Sequence, residues 1–172
     1  MRRTLVGNDT VTDDPSAEPR PVAFGLHLVT LAVADLDRAA AFYASIGLVR
    51  HLRQAPAVAF FGAGNVVLSL YPRESLAQDV GTPIPEASGA GRITLACNVA
   101  SEDLVAALLE RALAAGGTCL RIPFRASWGG TVSYFADPDG HVWEVTFAPT
   151  FTFDTEGRLV LSPQSGISGH AP

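Results

Sequence analysis

Val29-Thr30-Leu31-Ala32-Val33 recurs 64 residues on as Ile93-Thr94-Leu95-Ala96-Cys97, and that recurrence decides the fold. Both runs are short, apolar and rich in β-branched residues, the pattern of a buried strand. The segments downstream of the two runs are also alike. After the first, which opens near Phe24, Asp35 or Asp37 caps a helix over 38–46. Its apolar stripe is Ala39, Ala40, Phe42, Tyr43 and Ile46, and Gly47 stops it. Strands are expected at 49–53, 58–62 and 65–71, the last two joined by Gly62-Ala63-Gly64-Asn65. After the second run, Ser101 caps a helix with Glu102 and Asp103 in its first turn. Leu104, Val105, Leu108, Leu109 and Leu113 form the face expected to be buried, and Gly116-Gly117 end the helix. Strands at 119–123, 131–136 and 141–147 complete the unit. Asp137-Pro138-Asp139-Gly140 reads as a four-residue type I turn between the last two. A strand–helix–three-strand unit used twice makes the fold class α+β.

The flanking segments read differently. Residues 1–22 are polar and aperiodic and are taken as a disordered tail. The first module spans 23–72, a proline- and glycine-punctuated linker 73–91, and the second module 92–148. Residues 149–172 form an extension, partly disordered, in which Phe151, Phe153 and 154–159 are expected to wrap the module or a partner subunit.

Composition narrows the function classes. At 172 residues with 48% apolar and 17% charged side chains, the chain supports one sizeable core. A net charge of −5 without a basic face argues against nucleic acid. No run of about 18 apolar residues exists to cross a membrane, and no apolar h-region comes after Arg2 and Arg3, so a cytoplasmic setting is expected. Cys97 and Cys119 have no metal-site spacing.

Two motifs carry a family resemblance. The stretch from Leu28 to Ala39, with Phe42-Tyr43 and Ile46-Gly47-Leu48, resembles the opening of vicinal oxygen chelate proteins, the superfamily of glyoxalase I, extradiol dioxygenases and bleomycin-binding proteins. The stretch from Tyr134 to Val145 resembles that family's closing motif. The resemblance implies two βαβββ modules whose strands form a U-shaped mixed sheet around a central cavity, with helices on the outer face. It implies a small-molecule ligand and a homodimer. In metal-dependent members, ligands come from the start of each module's first strand and the middle of its last strand.

Carried onto this chain with strand alternation, those positions fall on Leu28, Ser69, Arg92 and Glu144. Leucine has no donor atom, serine is a poor ligand and arginine repels a cation, so no metal and no other cofactor is expected. Thr30, Tyr71 and Thr94 share the inward face. Glu144 is expected to pair with Arg92, either as a structural ion pair or as a base beside an electrostatic stabiliser. A four-residue turn at 137–140 sets Ser133 opposite Glu144 and puts Phe135 on the same face. Trp128, beside Gly129 and Gly130, offers an aromatic plane to a ligand. His27, His51 and His141 are assigned no role, His141 being expected on the surface. The reading favours a metal-independent protein that binds a mostly apolar or aromatic metabolite or antibiotic. The alternative is a metal-independent isomerase, lyase or cyclase that uses Glu144 and Arg92. A metal-dependent lyase or dioxygenase comes last.

Overall fold

The computed structural model describes residues 25–51, 57–86 and 93–160. The expected tail at 1–22, Arg92, and the end of the C-terminal extension lie outside the described residues. Module one runs β1 (Leu28–Val33), α1 (Leu36–Ser45), β2 (Val49–His51), β3 (Ala59–Ala63) and β4 (Val66–Pro72). A further helix, α2 (Arg73–Val80), comes directly after it. Module two runs β5 (Leu95–Asn98), α3 (Asp103–Ala114), β6 (Thr118–Arg125), β7 (Thr131–Ala136) and β8 (Val142–Phe147). A small hairpin of β9 (Thr152–Phe153) and β10 (Leu159–Val160) ends the described chain. Each module is a mixed four-stranded sheet, ordered β1-β4-β3-β2 in one and β5-β8-β7-β6 in the other. In both, the first strand pairs in parallel with the last.

The helices form where the sequence placed them, with local differences. Asp35 caps α1 by accepting a hydrogen bond from the Arg38 amide at 2.9 Å. Ala39, Ala40, Phe42 and Tyr43 are buried along its inner stripe. On α3 the buried residues are Val105, Leu109 and Ala112. Leu104 and Leu113 are 45% and 39% exposed, because they lie at the margins of the stripe. The linker reading of 73–91 missed α2, which starts after Pro72 and stops at Gly81 in the left-handed region. None of its residues is buried, so it carries no apolar period to detect.

One core serves both modules. Phe42 on α1 lies 6.2 Å from Phe135 on β7, and Tyr43 packs against both Phe61 on β3 and Trp143 on β8. Gly117 fits because a Cβ there would lie 2.9 Å from the Ala112 carbonyl and 3.2 Å from the Phe42 ring. The β7–β8 loop completes the joint. Asp139 Oδ1 accepts hydrogen bonds from the Ala34 amide and the Arg38 guanidinium, each at 2.8 Å, which ties module two to the start of α1. The helix-side faces of both sheets carry this core. The opposite faces remain for a ligand.

Candidate functional site

The β7–β8 register settles which side chains share the ligand face. Ala136 pairs with Val142, Tyr134 with Glu144, and Ser133 with Val145. Ser133 and Phe135 therefore lie on the helix side, both fully buried, and the expected Ser133–Glu144 pairing is corrected by one residue. The cause is the loop. Asp137 does form the type I turn, with the Gly140 amide donating to its carbonyl. Gly140 then adopts a φ of 90°, and the Asp137 amide donates to the His141 carbonyl, adding one residue to the hairpin. A slip of one residue turns every side chain to the other face.

Glu144 sits at the centre of a row that crosses module two: Ala96, Glu144, Tyr134 and Arg121 are successive cross-strand neighbours. Its carboxylate accepts two short hydrogen bonds, from the Tyr134 hydroxyl to Oε2 and from the Thr146 hydroxyl to Oε1, both at 2.6 Å. The hydrogen bond to Glu144, with burial and the nearby negative charge, pushes the Tyr134 phenol above its ordinary range, so it stays a donor at neutral pH. The Tyr134 ring stacks on Phe124, and the Arg121 guanidinium lies 3.3 Å from the centroid of the Phe124 ring. The result is a half-buried carboxylate fixed by hydroxyls, with an aromatic ledge and an exposed cation beside it.

The same register revises the repeat. Ser69 on β4 pairs with Thr30, whereas Glu144 on β8 pairs with Ala96, an offset of 66 rather than 64 residues. The helix starts differ from that offset by one residue: Asp35 precedes α1, whereas Glu102 and not the expected Ser101 precedes α3, with no side-chain cap. At that offset Leu28 corresponds to Thr94, two residues after Arg92. Leu28, Ser69, Thr94 and Glu144 supply a single carboxylate and two hydroxyls. That donor set does not fit a divalent ion, which needs several carboxylate, imidazole or thiolate ligands. Among the described residues no group of three or more His, Cys, Asp or Glu side chains converges.

The remaining sequence-selected residues are dispersed. Leu28 and Thr30 are exposed on the helix-free face of module one, where Val49 and Val67 are also exposed. Ser69 shares that face but is buried. Tyr71 is partly buried, and a hydrogen bond to Asp79 on α2 raises its pKa. Thr94 lies just ahead of β5 and is exposed. Trp128 is 53% exposed, its ring folded over Gly130, where a Cβ would clash with it.

His141 is not on the surface. Its Nδ1 lies 2.9 Å from Oδ2 of the buried Asp137, and its amide donates to Oδ1 at 2.8 Å. The Tyr43 hydroxyl donates to Asp137 Oδ2 at 2.6 Å and accepts from Trp143 Nε1 at 3.1 Å. Burial alone would raise the Asp137 pKa; the hydrogen bonds from His141 and Tyr43 reverse that and hold it below the usual range. Burial, with the Asp137 charge and hydrogen bond, drives the Tyr43 phenol far upward. This network belongs to the joint between modules, away from the Glu144 row. Sequence reasoning passed over Tyr134, Thr146 and Asp137; the signal for the first two was their alternation with Glu144, once the glycine bulge is counted.

With the architecture placed, comparison with known proteins is direct. The sequence pattern of the Glyoxalase/Bleomycin resistance protein/Dioxygenase superfamily matches residues 25–145. The chain belongs to that superfamily. A glyoxalase-related enzyme from Fulvimarina pelagi is 34% identical, covers 80% of this chain and 98% of its own, and superposes with a TM-score of 0.74. A lactoylglutathione lyase from Agrobacterium tumefaciens is 26% identical over 76% of this chain and 96% of its own, with a TM-score of 0.55. A glyoxalase/bleomycin resistance protein/dioxygenase from Nocardioides is 25% identical over 77% of this chain and 86% of its own, with a TM-score of 0.58. No curated protein sequence matches the chain. The superfamily's two βαβββ modules are those described above. No helix among the described residues is long and apolar enough to cross a membrane.

Proposed function

We propose that this superfamily member binds a small, mostly apolar or aromatic molecule on the helix-free face of the module-two sheet, without a metal ion. The observation that carries the reading is the Glu144 carboxylate, engaged at both oxygens by the Tyr134 and Thr146 hydroxyls. Positioned hydroxyls do here what a cation would do: they hold the carboxylate in one rotamer and offset its desolvation. A ligand that brings a hydroxyl or amine donor can share Glu144, its ring can lie against the Tyr134–Phe124 ledge, and its anionic group can reach Arg121.

A second copy completes the site in this reading. The helix-free face of module one exposes Leu28, Val49 and Val67, an apolar surface suited to close over the polar row of module two in a homodimer. A cytoplasmic setting suits the free Cys97 and Cys119. The second reading is a metal-independent isomerase, lyase or cyclase. It is favoured by the Tyr134–Glu144 contact, because a carboxylate and a neutral phenol 2.6 Å apart can act as base and acid.

The test is a thermal-shift and calorimetric screen with hydroxybenzoates and hydroxycinnamates in EDTA. A bound member should lose at least tenfold in affinity in Glu144→Gln. It should lose a smaller factor in Tyr134→Phe, with both variants melting near the parent. Binding that appears only on adding a divalent ion would sink the reading. Depletion of a bound substrate with appearance of product would favour the enzyme.

A further inference from the structure

A cavity of about 340 Å³ lies at the junction of three chain segments; it reaches Ala96 of the Glu144 row, but Glu144, Tyr134 and Arg121 do not line it. Module one supplies its floor from the end of α1 and the β3–β4 turn, module two its wall, and the β9–β10 hairpin its roof. We propose that this cavity is a second ligand site, for an uncharged planar aromatic molecule of one or two rings.

The shape of the wall points to a flat ligand. Trp143 is the partly exposed ring of the wall, and the buried Phe135 stacks on it with ring planes 5° apart and centroids 6.3 Å apart, so the two form one aromatic slab of which Trp143 is the accessible part. The slab is fixed before any ligand arrives. Phe135 is buried against Phe42, and Trp143 is pinned by its Nε1 donating to the Tyr43 hydroxyl. A fixed aromatic surface costs little entropy on binding. Phe153 adds a third ring from the roof. The volume falls at the small end of the range of roughly 300–1,000 Å³ usual for ligand pockets.

The charge balance points to an uncharged ligand. Arg158 is the cation lining the cavity, and it is paired with both Asp154 and Glu156 on its own hairpin. It therefore presents no net positive charge. The remaining polar lining is the amides of Asn65 and Asn98, whose side chains make no hydrogen bond among the described residues. These suit a carbonyl or hydroxyl on the ring. The Cys97 thiol in the wall is held protonated by burial, so it adds no charge.

The roof provides the way in. Among the described residues β9 and β10 pair with each other and with neither four-stranded sheet. The hairpin is closed by its own turn, where Asp154 Oδ1 accepts from the Glu156 and Arg158 amides. It can lift as a unit without breaking a sheet hydrogen bond.

N-phenyl-1-naphthylamine, an uncharged two-ring fluorophore that accepts energy from tryptophan, is the probe. In a Trp128→Phe background Trp143 is the sole tryptophan donor. Titration should give saturable energy transfer at one probe per chain. Ala63→Phe, which fills the cavity from β3, should weaken binding at least tenfold. Leu159→Asp, on the roof and outside the core, should do the same without lowering the melting temperature, and it decides the matter where Ala63→Phe disturbs folding. Glu144→Gln and Tyr134→Phe should leave probe affinity unchanged, which separates this site from the one proposed above. Absence of saturable transfer, or affinity that tracks the Glu144 variants and ignores Leu159→Asp, would overturn the proposal.

Discussion

The two modules carry the same row of positions and fill it differently. In module one the cross-strand neighbours are Thr30, Ser69, Phe60 and His51; in module two they are Ala96, Glu144, Tyr134 and Arg121. Phenylalanine stands where the other has tyrosine, and serine where the other has glutamate. Strand order and direction are the same in both. A shared architecture thus leaves one copy with a row that holds no carboxylate and the other with a fixed carboxylate, phenol and guanidinium. The duplication supplies the scaffold, and the unlike residues of the row supply the chemistry.

The largest expected effect comes from cutting the joint that holds the two copies together. Asp137→Ala would leave the Tyr43 hydroxyl and the Asp139 and His141 amides without their acceptor. Loss of about 3–5 kcal/mol is expected, as for a buried charged group removed from its partners. Urea denaturation measures it, and a loss below about 1 kcal/mol would show that the modules hold without the network. The same carboxylate gives a pH signature. Its pKa is lowered in the native protein, so its contribution is complete above the unfolded value and is lost as pH falls through the native one. Stability should decline more steeply below about pH 4 in the parent than in Asp137→Asn.

Next in size is the helix-free face of module one. Val67→Lys should convert a dimer to a monomer, read by light scattering, with the melting temperature of the isolated fold little changed because Val67 is already exposed. An unaltered mass would separate the two faces and refute the shared site.

Smaller again is the grafting of one row onto the other. Tyr134→Phe restores the module-one residue and removes a hydrogen bond to a charged acceptor. Ligand affinity should fall about 5- to 30-fold, or roughly 1–2 kcal/mol. The smallest effect separates the two helix starts. Asp35 caps α1, while Glu102 makes no cap and instead accepts from Thr131 on β7 at 2.6 Å. Asp35→Ala should cost about 1 kcal/mol of stability, and removing the exposed Arg125 partner of Glu102 no more than about 0.5 kcal/mol.

The repeat, the order of elements and the inner stripe of α1 were legible because apolar periodicity and helix stops are local signals. Glu144 was reached through the family resemblance, as the position in the middle of the last strand. Its partners were not. Tyr134 became its neighbour only through the left-handed Gly140, and composition does not distinguish a four-residue turn from one with a bulge. The offset of the repeat was missed because Thr-Leu-Ala occurs in both strands at 64, while pairing with β4 and β8 obeys 66. His141 and Asp137 looked like ordinary turn residues; their burial comes from α1, more than 90 residues away along the chain.

The measurement that bears most directly on the Glu144 row is calorimetric titration of a hydroxycinnamate found in the screen, into protein stripped with EDTA and into protein with added zinc or manganese. Equal affinity in both, lost at least tenfold in Glu144→Gln, is the predicted result. Affinity that requires the metal, or that ignores the loss of the Glu144 charge, would contradict it.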